Sequence, residues 1–210
     1  MKILTLNSHD NSGGAGRAAY NSYKGLSEIG LNSKMMVSQK GSNDHLVLGP
    51  ETSFQKIRSL FAMHIDSLPK KLHTSSNMNL HSPAWFSNMN IGKINEYNTD
   101  IIHLHWMQGG GLSVKAISKL NKPIVWTLHD MWPFSGAEHY SNGSLRYKEG
   151  YNRSNRPEGE AGFDLNRWVW KRKVKVWGKI KNLTVVAPSK WMARCATESI
   201  LFKDRRIEVI

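Results

Sequence analysis

Three short segments of the chain carry groups that could bind or transform a polar substrate. One is the glycine-rich stretch Gly14–Arg17. Another pairs His103 with His105, and the third places Asp130 directly after His129. Histidine and aspartate suit acid–base catalysis or metal binding, whereas glycines at the start of a helix suit an anion. Spacing alone leaves these chemistries open.

The glycine-rich stretch reads G-x-G-x-x-A, but it does not fit a dinucleotide fingerprint. That fingerprint needs its first glycine directly after a strand and an acidic residue about 20 positions on. Six residues separate Asn7 from Gly14, and the next predicted strand ends in Ser38–Lys40, without a carboxylate. No Gly-Lys-Ser/Thr follows, which excludes a P-loop. Two interpretations remain: a phosphate cradle supported by the charge of Arg17, or glycines that only permit a tight turn.

The histidines allow a metal-site interpretation. His103, His105, His129 and Asp130 together could bind a metal ion for hydrolysis. No other residues complete a convincing ligand set, and a histidine in a strand is more often a core residue. We therefore expect no metal.

The elements that must position these residues alternate between apolar runs and helical patterns. The sequence predicts strands at Lys2–Asn7, Ser33–Ser38, Ile101–Trp106, Ile124–His129, Leu183–Ala187 and Arg206–Ile210. It predicts helices at Gly16–Ile29, Phe54–Ile65, Leu112–Leu120 and Lys190–Glu198. Strands separated by helices form a parallel sheet, so the fold class is α/β. The carboxyl ends of the strands are expected to line a ligand crevice.

Two segments depart from this alternation, and a third stretch is unusually basic. Residues 49–98 are polar and rich in Met and Ser, and residues 131–163 are rich in Gly, Asn, Arg and Tyr. Both are expected to be insertions, the second an elaborate loop. Residues 164–181 combine seven Lys or Arg with an apolar helical face. That pattern fits a membrane-surface helix or, as we prefer, a helix packed on the core, although part of it also alternates like a strand.

The composition limits the class of partner. The chain has 29 Lys plus Arg and 16 Asp plus Glu, a formal charge of +13, which suits phosphorylated molecules or an acidic membrane surface. No nucleic-acid-binding module is recognisable. Cys195 is the only cysteine, so no internal disulfide forms. The sequence shows neither a signal peptide nor an apolar stretch of about 20 residues, and we expect a cytoplasmic location.

Four segments taken together resemble a known enzyme family. They read "MKILTLNSHDNSGGAGRAAYNSYKGL", "DIIHLHWMQGGGLS", "KPIVWTLHDMWPFSGAEHY" and "VVAPSKWMA". In this order they resemble the N-terminal half of glycosyltransferase family 4 enzymes, especially the branch that builds bacterial surface polysaccharides, including colanic-acid-type transferases. The likeness covers nearly the whole chain and is weakest at residues 49–98.

The resemblance implies a GT-B architecture, in which two Rossmann-like domains face each other across a cleft. Residues 1–210 would be the N-terminal, acceptor-side domain, with insertions near 49–98 and 131–163. The C-terminal domain that binds the nucleotide sugar would lie beyond Ile210, where the sequence stops inside a predicted strand. The N-terminal domain alone is therefore expected to be inactive. Relatives often carry cysteines after the "HDMWPFTG"-like segment, and residues 138–163 have none, so this loop must be held without them or move.

The same resemblance implies a role for each matching residue. Gly14, Ala15 and Gly16 match the loop that approaches the donor diphosphate, and Arg17 would lie near that phosphate or near the acceptor. His129 matches a histidine beside the transferred sugar, with Asp130 following it. We add three candidates for acceptor binding: Trp106, Trp132 and His139.

The implied reaction is a retaining transfer from a nucleotide sugar, without metal or other cofactor, to a glycan or lipid-linked acceptor. Lipid-linked acceptors lie at the inner membrane face, which would give the positive charge a purpose. Two other classes stay open on the residues alone. One is the metal-dependent hydrolase described above, and the other is a non-catalytic sugar- or membrane-binding module.

Overall fold

A seven-stranded parallel sheet forms the centre of the computed structural model, which describes residues 1–210. The strands of the chain are β1 (Lys2–His9), β2 (Asn32–Gln39), β3 (Val47–Leu48), β4 (His73–Ser75), β5 (Ile101–Leu104), β6 (Ile124–Thr127), β7 (Glu160–Gly162), β8 (Leu183–Ala187) and β9 (Arg206–Val209). The helices are α1 (Gly13–Glu28), α2 (Ser53–Ser67), α3 (Ile91–Glu96), α4 (Val114–Ile117), α5 (Arg146–Glu149), α6 (Leu165–Trp177) and α7 (Lys190–Glu198). Strands β4 and β7 form a separate antiparallel pair.

The order of the strands fixes where a ligand can bind. The sheet runs β3-β2-β1-β5-β6-β8-β9. Strands β2 and β3 lie on one side of β1, and the later strands β5, β6, β8 and β9 lie on its other side. The order reverses between β1 and β5, and ligands of open α/β sheets bind beyond the carboxyl ends of the strands at such a point. This arrangement confirms the predicted α/β, Rossmann-like fold.

Helix α6 confirms the core-packed interpretation of the basic segment 164–181. Its residues Leu165, Val169 and Trp177 are buried in the main core, where the Trp177 ring meets that of Trp126 at 5.2 Å between centroids. The membrane-surface interpretation of this helix is wrong, because its apolar face is already covered. None of the helices combines the length and the apolar composition that a membrane-spanning segment requires.

Several predicted boundaries change. Helix α1 begins three residues before the predicted Gly16, so all the clustered glycines belong to its first turn. The helix predicted at Leu112–Leu120 is reduced to α4, because the N–H groups of Lys119 and Leu120 donate to carbonyls only three residues back. Strand β5 ends two residues before the predicted Trp106.

The two insertions form one structure rather than separate loops. Strand β4 of the first pairs with β7 of the second, and His81 bridges to Glu138. Arg146, which is buried, holds the second insertion together. Its guanidinium donates to Asp164 Oδ2 at 2.8 Å and to the carbonyl oxygen of Asn152 at 3.1 Å. The loop without cysteines is thus fixed by a buried cation.

Candidate functional site

A cleft of about 640 Å³ opens beyond the carboxyl ends of β1, β5 and β6, at the reversal of strand order. Its walls come from the end of β1, the first turn of α1, the loops after β5 and β6, and both insertions. The lining residues are Asn7, His9, Ser12, Gly13, Gly14, Ala15, Gly16, Asn79, Leu80, Trp106, His129, Asp130, His139 and Tyr140. The structure therefore brings together seven of the nine predicted site residues.

The start of α1 presents backbone to this cleft. The side chain of Ser12 forms no capping hydrogen bond, and the first turn contains no acidic residue. Gly13 has φ +69°, a left-handed conformation that favours glycine. A Cβ on Gly16 would lie 3.3 Å from the carbonyl oxygen of His9, so the helix passes close to the end of β1. The uncapped N–H groups and the helix dipole favour an anion in the cleft.

Arg17 lies outside this group of residues. It is exposed on α1 and does not line the cleft.

Asp130 is fixed from three directions at the end of β6. It is only 7 % exposed. Its Oδ2 accepts from Trp106 Nε1 at 3.1 Å and from His139 Nδ1 at 2.5 Å, and its Oδ1 accepts from the backbone N–H of Trp132 at 2.9 Å. The other ring nitrogen of His139 lies 2.8 Å from Ser82 Oγ. Both nitrogens of His139 therefore contact protein groups, and the ring holds the carboxylate of Asp130 in position.

A row of histidine rings leads from β5 to the cleft. Nδ1 of His105 lies 2.9 Å from Nε2 of His129, and the His103 and His105 rings are 4.2 Å apart between centroids. Burial lowers the pKa of His103 to about 4, lowers that of His105 well below its usual value, and lowers that of His129 although Asp130 opposes the shift. His129 therefore faces the cleft as a neutral imidazole near pH 7.

These histidines are not arranged as metal ligands. No three or more His, Cys, Asp or Glu side chains are grouped so that they could hold a metal ion. Nε2 of His103 lies 2.8 Å from Thr127 Oγ1, whereas His105 contacts His129 and Asp130 contacts His139. The ligand set on which the hydrolase alternative depended does not form.

Trp132 does not offer a surface to an acceptor. It is completely buried, and its Nε1 donates to the carbonyl oxygen of Ser82 at 2.9 Å. The ammonium of Lys173 lies 3.7 Å from the centre of its ring. Lys173 also donates to the carbonyl oxygens of Ser135 and Gly136, at 3.2 and 2.7 Å, and to that of Trp132. This buried lysine fixes the segment that follows Asp130.

Several residues in and beside the cleft are not among the residues predicted for the site. Gly13 precedes the helix predicted at Gly16–Ile29, although its place beside two further glycines is a usable signal. Asn79 and Leu80 carried no signal, because they lie in the insertion that resembles the family least. Lys173 was one of seven basic residues on one segment, and no local pattern distinguishes the buried one.

Comparison with known families adds an independent finding. The family model of Glycosyltransferase Family 4 matches residues 12–210, which leaves only residues 1–11 outside the match. A comparison with curated proteins gave no match. The matched region contains all of α1 and every strand except β1, so it covers the cleft on nearly all sides. The chain therefore belongs to glycosyltransferase family 4.

Proposed function

We propose that this chain is the N-terminal, acceptor-side domain of a GT-B enzyme that transfers a sugar from a nucleotide-sugar donor with retention of configuration. The proposed acceptor is a glycan or a lipid-linked glycan, in the surface-polysaccharide branch of the family. A second Rossmann-like domain would supply the nucleotide site. One observation carries the proposal: the uncapped first turn of α1 and the pair His129–Asp130 line the same cleft.

The first turn of α1 would receive the donor diphosphate. Negative charge grows on this group as the bond to the sugar breaks, so donors already fixed in place stabilise the transition state more than the ground state. The N–H groups around Gly13–Gly16 and the helix dipole supply such stabilisation without a metal ion. Because Gly14 carries no side chain and has open space beside it, a phosphate could approach the backbone closely.

The opposite wall of the cleft would hold the sugars. His129 is neutral and lines the cleft, so its imidazole can hydrogen-bond the transferred sugar without attracting the diphosphate. Asp130, held by His139, keeps the indole of Trp106 in a fixed orientation. Trp106 and the exposed ring of Tyr140 are the aromatic surfaces on which an acceptor sugar could stack.

The decisive test uses the product of the complete reading frame and a panel of nucleotide sugars. We expect one sugar to be transferred without added metal, and His129→Ala to lower turnover by about 100-fold or more. The matched control is His45→Ala, an exposed histidine outside the cleft, which should leave turnover unchanged.

Equal turnover of His129→Ala and wild type, at equal folded fraction, would remove His129 from the site. Glycan binding without consumption of any nucleotide sugar would instead support a non-catalytic module.

A further inference from the structure

Helix α2 exposes its largest apolar side chains to solvent. Phe54 is 75 % exposed, Ile57 52 % and Phe61 62 %. At 100° per residue these three lie on one side of the helix, and Leu68, also exposed, continues the same stripe. We call Phe54, Ile57, Phe61 and Leu68 the outer stripe.

The opposite side of α2 attaches the helix to the rest of the domain through small and polar residues. Ser59, Ala62 and Asp66 are buried. Ser59 Oγ donates to the carbonyl oxygen of Ser38 at 2.6 Å, and Asp66 Oδ1 accepts from the backbone N–H of Trp85 at 2.8 Å. These contacts fix the rotation of the helix. The outer stripe is therefore held outward by specific bonds on the inner side.

An apolar stripe of this size indicates a binding partner, because exposing several adjacent large apolar side chains to water is energetically unfavourable. The charges around the stripe indicate which partner. Residues 52–72 include four basic residues, Lys56, Arg58, Lys70 and Lys71. Their single acidic residue, Asp66, is buried on the inner side. An apolar stripe with cations beside it matches the boundary of an anionic lipid layer.

We propose that α2 and the turn that follows it, Leu68–Leu72, dock on the surface of an anionic phospholipid bilayer. The outer stripe enters the boundary between headgroups and acyl chains, while the lysines remain at the level of the phosphates. Trp85 lies beside the end of α2, partly exposed, with its Nε1 donating to the carbonyl oxygens of Ile65 and Asp66 at 3.1 Å. Such a ring suits the same interface.

The purpose of this docking rests on the proposed function, because a lipid-linked acceptor is presented at a bilayer surface. The lipid contact itself does not depend on catalysis. It also replaces α6 by α2 as the membrane-facing element, since the apolar residues of α6 are buried.

The test is flotation of the purified protein with vesicles of phosphatidylcholine alone or mixed with phosphatidylglycerol. We expect binding to the mixed vesicles that weakens in high salt, and little binding to phosphatidylcholine alone. The variant Phe54→Ser/Ile57→Ser/Phe61→Ser should bind at least about tenfold more weakly, because three apolar groups no longer enter the lipid. Ile29→Ser, at a position 73 % exposed outside α2, is the matched control and should bind as wild type.

All four substituted positions are more than half exposed, so the variants should remain folded, which circular dichroism checks. Absence of binding to mixed vesicles, or equal binding of the triple variant and wild type, would overturn the proposal. If the wild type were a dimer in solution and the triple variant a monomer, the stripe would bind a second copy of the chain. That result would also overturn the proposal. Transfer to a soluble acceptor, assayed with the same substitutions in the product of the complete reading frame, separates the two proposals. Its retention in the triple variant supports a purely lipid-binding role for the stripe, and its absence in wild type would contradict the proposed function alone.

Discussion

Nδ1 of His139 lies 2.5 Å from Oδ2 of Asp130, and this contact ties the second insertion to the end of the central sheet. The backbone reinforces it, since the N–H of Met131 donates to the carbonyl oxygen of His139 at 2.9 Å. The segment between the two residues is thereby closed into a loop whose ends meet at the cleft. A side chain of the insertion thus determines the position of a carboxylate that follows a strand.

We predict that Asp130→Asn lowers turnover of the full-length enzyme by about 100-fold. The amide nitrogen would face the donors of His139 and Trp106, so that contacts made to the carboxylate would be lost. The same loss should lower the free energy of unfolding by about 1–3 kcal/mol. Steady-state kinetics and denaturant titration measure the two effects.

Asp44→Asn is the control for this variant. Asp44 also accepts several hydrogen bonds, from Tyr20, Tyr23 and the backbone of Leu46, but it does not line the cleft. It should lose stability and keep its turnover per folded molecule. If Asp130→Asn behaved in the same way, Asp130 would be a structural residue only.

We predict that two glycine substitutions in α1 stabilise the helix alike but differ in their effect on function. A Cβ at Gly14 or at Gly25 meets no atom within 4 Å, so each change to alanine should stabilise the helix, by about 0.5–1 kcal/mol. Gly14 lines the cleft and Gly25 does not. Only Gly14→Ala should therefore weaken binding of the nucleoside diphosphate product, measured as an inhibition constant. An unchanged constant in Gly14→Ala would argue against diphosphate binding at this turn.

We predict that Arg146→Met lowers the free energy of unfolding by about 3–5 kcal/mol, because the largely buried carboxylates of Asp164 and Glu160 would lose the guanidinium that neutralises them. Limited proteolysis should then cut within residues 131–163. Arg206→Met is the comparison, because its pair with Glu208 is exposed and should contribute little. Resistance of Arg146→Met to protease would show that other contacts hold the insertion.

We predict that the protein loses stability as the pH falls from about 6.5 towards 4. Burial lowers the pKa of His81 and of His103 to about 4 and that of His105 well below its usual value, so the unfolded chain binds more protons than the folded one over this range. Each histidine contributes up to about 1.4 kcal/mol per pH unit. Burial raises the pKa of Glu138 to about 7, so between its ordinary pKa and pH 7 the folded chain holds a proton that the unfolded chain has lost. This carboxyl therefore adds stability as the pH falls and offsets part of the loss caused by the histidines.

Denaturant titrations at about pH 5 and about pH 7 test this prediction. The difference in unfolding free energy should shrink in His103→Gln and stay the same in His45→Gln, whose histidine is exposed. An equal difference in wild type and His103→Gln would contradict it.

The fold class and most of the cleft follow from local patterns in the amino-acid sequence. Alternating strands and helices specify a parallel sheet, and the bounds predicted for β8 and α7 agree with the structure. Residues at the carboxyl ends of strands must meet at one edge, which is why Trp106, His129 and Asp130 could be placed together in advance. These features depend on local periodicity and on chain direction, and both can be read from neighbouring residues.

Which side chains are buried depends on the packing of distant segments and cannot be predicted from local pattern. Trp132 and Trp106 follow similar strands, yet Trp132 is buried by Lys173 and Trp177 while Trp106 lines the cleft. The apolar faces of α2 and α6 look alike in sequence, but only that of α6 packs on the core. Burial depends on which distant segments arrive at each face, and those contacts join residues far apart in the chain. Local pattern therefore predicts the elements, and long-range packing determines which of their faces bind substrate, core or membrane.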